Sequence, residues 1–255
     1  MVKAVADAAS RLTWQSARIE VIEPLAEGIK RIVLRPRVWH APWAGQHLDV
    51  RLTADDGYQA QRSYSLLSPP ERDGIYELAI EHLPGGEVSP WFHEAATVGD
   101  EVEILGPTGG HFVWRAESAV PALLVGGGSG VVPLLSMMAH RASHRAASPM
   151  VLCIAARTLA HVPMWQQLQA WERDDERMQC TLALSRQSAA PRPQDRAGRL
   201  QVSDLATALQ WLGGNAAQSS TAYLCGSNAF VEAVTAMLRE LQVPDGAIRT
   251  ERFGG

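Results

Sequence analysis

Three short runs combine residue types suited to phosphate and aromatic ligands. Gly126-Gly127-Gly128-Ser129-Gly130 follows an apolar run and precedes a segment that can start a helix near Pro133. Glycines there let the backbone approach a pyrophosphate, and a helix N-terminus offers free N–H groups to it. Val131 breaks the GxGxxG spacing, so the run alone also fits a glycine-rich packing turn. Arg62-Ser63-Tyr64-Ser65 closes an early strand-like run. On a strand Arg62 and Tyr64 share one face while Ser65 takes the other, which supplies a guanidinium, an aromatic platform and a nearby hydroxyl. Gly85-Gly86-Glu87-Val88-Ser89-Pro90 reads as a loop entering a helix, with Ser89 as N-cap and Pro90 at the first helical position.

The elements that must carry these runs change character along the chain. Residues 18–22, 32–34, 47–52, 76–80 and 102–105 contain apolar positions at period two, separated by turn signals such as Asp55-Asp56-Gly57 and Pro84-Gly85-Gly86. Short strands at that spacing predict an antiparallel barrel. Beyond a join near Arg115 to Val120, apolar strands at 122–125, 151–155, 181–184 and 222–225 alternate with helical segments. Pro163 to Arg173 puts Met164, Leu168 and Trp171 on one face, and Asn228 to Leu241 does so with Phe230, Val234, Leu238 and Leu241. Unalternated apolar strands interleaved with helices predict a doubly wound parallel sheet. The expected division is an N-terminal extension (1–16), an antiparallel Greek-key β-barrel (17–116) and a doubly wound α/β domain (117–255).

Composition removes several classes of function. The net charge of −4 argues against a dedicated nucleic-acid binder. Cys153, Cys180 and Cys225 lie far apart, which excludes a CxxC pair and a four-cysteine cluster within this chain; reduced thiols suit the cytoplasm. No residue between Glu117 and His140 is charged, but Pro121, Pro133 and four glycines interrupt that stretch, so no membrane span is expected. Residues 1–117 hold 11 basic and 17 acidic side chains, whereas 118–255 hold 12 and 10, and every basic residue in the second part is Arg. Arginine suits bidentate phosphate recognition, although a solvated Arg-rich surface explains charge alone equally well.

The runs occur in a fixed order: RxYS, GGxxS, the GPxG of Gly106 to Gly109, GGGSG, Cys225-Gly226 and a terminal Glu251-x-Phe253. From about Arg18 to Phe253 the sequence resembles the ferredoxin–NADP reductase family of flavin and nicotinamide reductases. The resemblance implies FAD held through Arg62, Tyr64, Ser65, Gly86, Val88, Ser89 and Phe253. It implies a nicotinamide nucleotide at Gly126, Gly127, Gly128, Ser129, Gly130, Cys225 and Gly226. Ser65, Cys225 and Glu251 would tune hydride transfer from nicotinamide C4 to flavin N5, with electrons then passing singly to a redox protein such as ferredoxin, flavodoxin or an oxygenase component. A reductase of free flavin or ferric chelates and a non-enzymatic flavin-binding module are the alternatives.

One further reading concerns the nucleotide. In dinucleotide folds an acid near the end of the second strand binds the ribose of NAD, whereas Arg accommodates the 2′-phosphate of NADP. Here Arg157 stands where the acid would be, Ser185-Arg186 ends the third strand, and Gly198-Arg199 follows. The set Arg157, Ser185, Arg186 and Arg199 is similar to the 2′-phosphate clamp of bacterial NADPH-dependent relatives, so NADPH is expected. No metal is expected. His140 and His144 lie at i, i+4 on a helix, but without an acidic or Cys neighbour in sequence they read as a solvated face. Trp39 and Trp43 are expected to pack on the barrel, and Cys153 to be a buried small hydrophobe.

Overall fold

The structure, a computed structural model, describes residues 12–253. Positions 1–11 of the expected N-terminal extension lie outside the described residues, and the first strand already takes in Gln15 and Ser16.

Six antiparallel strands form the first sheet: β1 (Gln15–Ala26), β2 (Ile29–Pro36), β3 (His47–Thr53), β4 (Gln59–Ser65), β5 (Tyr76–Glu81) and β6 (Glu101–Thr108). Their order is β4-β3-β6-β1-β2-β5, so β6 inserts between β3 and β1. The sheet curls into a barrel-like shape without closing. Its edge strands approach through the isolated bridge Leu66↔Leu78. Alternation along the strands turns Ile19, Ile32, Leu34, Leu48, Val50, Leu78 and Ile104 inward, where Tyr76 and Phe92 complete a buried core. Phe92 comes from α1 (Val88–Glu94), which plugs the barrel between β5 and β6. The helix begins two residues earlier than the sequence suggested. Glu87, not Ser89, occupies the N-cap position, and the Ser89 hydroxyl instead accepts a hydrogen bond from the Leu83 amide at 3.2 Å.

The second sheet is parallel, in the order β10-β9-β8-β7-β11-β12. Its elements are β7 (Ala122–Gly127), α2 (Val132–His144), β8 (Met150–Ala156), α3 (Trp165–Asp174), β9 (Met178–Leu184), β10 (Arg196–Ala197), α4 (Val202–Leu212), α5 (Ala216–Ser219), β11 (Thr221–Gly226), α6 (Asn228–Glu240) and β12 (Ile248–Arg252). Apolar residues cover both faces. Leu124, Leu152, Ile154 and Leu182 meet α2 and α3 on one side, while Leu123, Val125, Val151 and Leu224 meet α4 and α6 on the other. The first of these cores also takes in Ala44, Leu67, Ala79, Phe112 and Trp114, so the two sheets share buried apolar surface. Among the described residues no helix is long and apolar enough to cross a membrane.

Two helical details differ from the periodicity. Met164 precedes α3 with a left-handed φ of 56°, so only Leu168 of the expected stripe is fully buried. In α6 the buried face is Val231, Val234 and Leu238, with Phe230 and Leu241 at its margin, and Ser227 caps the helix through Phe230 N. Trp39 packs against the barrel core as expected. Trp43 does not; it remains exposed, with the Arg115 guanidinium stacked 3.9 Å over its ring. Cys153 is fully buried mid-strand, and burial pushes its thiol up to about 11.

Ile104 lies at the centre of the first sheet with no exposed surface. Ile104→Ala should therefore cost about 2–5 kcal/mol through lost burial and a residual cavity. Equilibrium urea unfolding measures it.

Candidate functional site

Register in the parallel sheet assembles the first part of the site. Gly126 pairs with Cys225, and Cys225 pairs with Glu251, so three adjacent strands present these residues side by side near their carboxyl ends. Ligands of open α/β sheets bind at that edge. The chain leaves β7 through a 3₁₀ turn, Gly128–Val131, before α2. Gly128 has φ +58° and open space where a side chain would point, whereas a Cβ on Gly130 would lie 2.4 Å from the Cys225 carbonyl oxygen. The absence of a side chain at Gly130 thus lets the turn close onto Cys225-Gly226. Phe253 follows β12, and its amide donates to the Gly226 carbonyl at 3.0 Å.

The antiparallel sheet delivers the second part. Ser65 ends β4 and pairs across the ladder with His47, the first residue of β3. His47 Nδ1 lies 3.5 Å from Glu251 Oε1, which links the two sheets at this point. Ser65 Oγ and Glu251 Oε2 are both buried and have no hydrogen-bond partner among the described residues. Such groups cost about 1–3 kcal/mol each, so two at one junction favour a polar ligand that supplies the missing bonds. Tyr64 is half-buried beside them, edge-on to Phe92 at 6.3 Å, and burial raises its phenol above the usual value. The Cys225 thiol is held well above its ordinary value, first by burial and then by the charge of Glu251. It is therefore a neutral thiol at neutral pH and a poor nucleophile.

Arg62 stands farther out on β4, exposed, with its guanidinium 3.9 Å from Glu87 of the Gly85-to-Ser89 loop. Tyr58 also donates to Glu87, at 2.6 Å. Arg62, Gly86, Val88 and Ser89 therefore belong to one neighbourhood, and the contact with Glu87 is too exposed to bind Arg62 firmly. At the far end of the parallel sheet, the Ser185 amide donates to Ala156 O at 3.0 Å and the Arg186 amide to Arg157 O at 2.8 Å. Gly198 N donates to Leu184 O at 2.9 Å, which draws Arg199 toward the same edge. Among the described residues Arg157, Arg186 and Arg199 form no ion pair, whereas their neighbours Arg192 and Arg196 are engaged by Asp195, Glu172 and Asp204.

Sequence reasoning missed His47. It heads a strand in which polar His47, Asp49 and Arg51 alternate with apolar Leu48, Val50 and Leu52, so nothing local marks it as a site residue. Only its pairing with Ser65 and the arrival of β12 draw it into the site.

Comparison with known proteins agrees with this arrangement. Residues 40–114 match the oxidoreductase FAD-binding domain family and residues 124–236 the oxidoreductase NAD-binding domain family. The phenol hydroxylase P5 protein of Acinetobacter pittii is 28% identical, covering 94% of this chain and 65% of that protein. Ferredoxin–NADP reductase B of Sorangium cellulosum is 27% identical, covering 93% and 96%. This chain thus spans nearly all of the second relative but just under two thirds of the first. The fold also matches an Amycolatopsis cytochrome P450 reductase (TM-score 0.81, 23% identity, 95% of this chain and 70% of that one). The FAD/NAD-binding domain of Vibrio cholerae nitric oxide dioxygenase is comparable (TM-score 0.80, 20% identity, 94% and 99%). Taken together, the two domains define an oxidoreductase that binds FAD and a nicotinamide dinucleotide. The chain belongs to the ferredoxin–NADP reductase family.

The link between the sheets carries a pH dependence. The hydrogen bond with Glu251 raises the His47 imidazole above its ordinary 6.5, against the opposing effect of burial. A raised imidazole adds stability that is complete below pH 6.5 and is lost as pH climbs through the elevated folded value. In an NMR titration His47 should show a midpoint above 6.5 that falls in Glu251→Gln. Identical midpoints in both proteins would show that the contact is not formed.

Proposed function

We propose that this chain is an NADPH-dependent reductase that passes electrons through FAD to a protein acceptor: ferredoxin, flavodoxin or a component of an oxygenase. The observation that carries the proposal is the junction at which Ser65, His47, Cys225 and Glu251 converge from two sheets with two buried, unpartnered oxygens. The relatives named ferredoxin–NADP reductase B and phenol hydroxylase P5 protein support the same reading.

When bound, the flavin accepts a hydride and can release electrons one at a time, chemistry that no side chain supplies. The protein's part is binding, orientation and exclusion of water. Arg62 with Gly86, Val88 and Ser89 would hold the phosphates of FAD, and Tyr64 and Phe253 would cover its ring. Ser65 Oγ and Glu251 Oε2 would provide hydrogen bonds at the ring, their orientation fixed by the β3–β4 pairing and by His47. Gly126 to Gly130 would receive the pyrophosphate of the nucleotide, and Cys225-Gly226 would back its nicotinamide as an apolar, uncharged floor. Burial and the charge of Glu251 hold the Cys225 thiol neutral and poorly nucleophilic, so it is assigned no covalent role.

Arg157, Arg186 and Arg199, with the Ser185 hydroxyl, would hold a 2′-phosphate. Their freedom from ion pairs leaves them available for it. A hydrogen bond to a charged group contributes about 1.5–3 kcal/mol, so two such contacts give a preference for NADPH of about a hundredfold or more. Steady-state reduction with each nucleotide tests this. Arg186→Ala should raise KM for NADPH at least about tenfold and leave KM for NADH nearly unchanged. Equal efficiency of the two nucleotides in the unaltered protein would refute the preference.

Ser65→Ala should keep its flavin yet lower the rate of reduction by NADPH about tenfold or more, as expected when a hydrogen bond at the reacting ring is removed. Anaerobic stopped-flow absorbance reads this directly, and a wild-type rate would remove Ser65 from its assigned role. Rapid turnover with free flavin or ferric chelates, together with none toward redox proteins, would replace the proposed acceptor class.

A further inference from the structure

His140 and His144 lack a ligating neighbour in sequence, but the fold supplies one from the other sheet. Glu71, in the loop between β4 and β5, places Oε1 2.6 Å from His140 Nδ1 and 3.1 Å from His144 Nδ1. We propose that Glu71, His140 and His144 form a binding site for a divalent transition-metal ion of the zinc type, clamping the β4–β5 loop to α2.

The donor set and its spacing favour this. The two imidazoles are one helical turn apart, which puts both Nδ1 atoms on the same face of α2. All three ligand atoms lie within 4.8 Å of one another, and this is the one such grouping of three His, Cys, Asp or Glu side chains among the described residues. Two imidazoles and a carboxylate leave a fourth position for water, a combination that suits zinc and its neighbours better than calcium or magnesium. The ligands are also held in advance. The His140 ring is mostly buried, edge-on to Trp114 at 5.6 Å and to His144 at 4.6 Å. Among the described residues Glu71 forms ion pairs only with these two rings, while the adjacent Arg72 turns to Glu77 at 3.7 Å.

The alternative is that two imidazoles simply hydrogen-bond one carboxylate, with His144 Nδ1 shared between Glu71 and the His140 carbonyl at 3.2 Å. A metal ion would displace the Nδ1 protons, leaving both rings as Nε2–H tautomers. Zinc has no redox chemistry of its own, so the role of the site is structural. It braces an interface already joined by the Ser136 hydroxyl, which donates to Ser68 O at 2.8 Å.

The test uses the untagged, flavin-loaded full chain after dialysis against a chelator. Zn²⁺ is titrated in competition with a chromogenic chelator, and thermal unfolding is followed at each concentration. The expected result is one Zn²⁺ per chain, an unfolding midpoint that rises with Zn²⁺, and at least tenfold weaker binding in both Glu71→Gln and His144→Ala. These two side chains lie at the surface, so both variants should fold and keep their flavin. Zn²⁺ uptake that is absent, or that is the same in all three proteins, would overturn the proposal without touching the reductase reading.

Discussion

The approach of His47 on β3 to Glu251 on β12 is the contact on which the site depends. β12 is the last strand of the parallel sheet and β3 lies inside the antiparallel one, so this 3.5 Å contact fixes where the two sheets meet. Everything else at the junction follows from register. Ser65 is there because it pairs with His47, Cys225 because it pairs with Glu251, and Gly126 because it pairs with Cys225. A slip of one residue in any of these ladders would turn the relevant side chain to the opposite face.

The junction is polar and incompletely satisfied, while the cores on either side are apolar and closed. Barrel residues such as Ile19, Leu34 and Ile104 have no exposed surface, and neither do Leu123, Leu124 and Leu152 in the parallel sheet. Those cores supply the stability against which two unpartnered oxygens can be tolerated. Each costs about 1–3 kcal/mol in a fold whose margin is of the order of 5–15 kcal/mol. Local departures of this kind from an otherwise consistent fold are expected at functional sites.

Much of this was legible before the structure. Alternation in 47–52 marked the antiparallel sheet, and the buried runs at 122–125 and 151–155 marked the parallel one, because burial on one face or two leaves different patterns. Ile248-Arg249-Thr250-Glu251-Arg252 was not recognised as a strand. It is an edge strand with one apolar residue, so neither pattern applies to it. The α4 helix also escaped notice, although Gln201 and Asp204 form a capping box at its start. His47 and Glu71 were invisible for a different reason. Their roles come from partners 204 and 69 residues away, as numbering 47 to 251 and 71 to 140 shows, and no local pattern encodes such contacts.

The most direct measurement is anaerobic mixing of the FAD-loaded protein with NADPH, with the flavin's visible absorbance followed in time. One FAD per chain, bleached rapidly and completely by stoichiometric NADPH and restored by a redox-protein acceptor, is the expected result. A chain that takes up no FAD, or one whose bound FAD stays oxidised in excess NADPH and NADH alike, would contradict the assignment of this junction as the site of electron transfer.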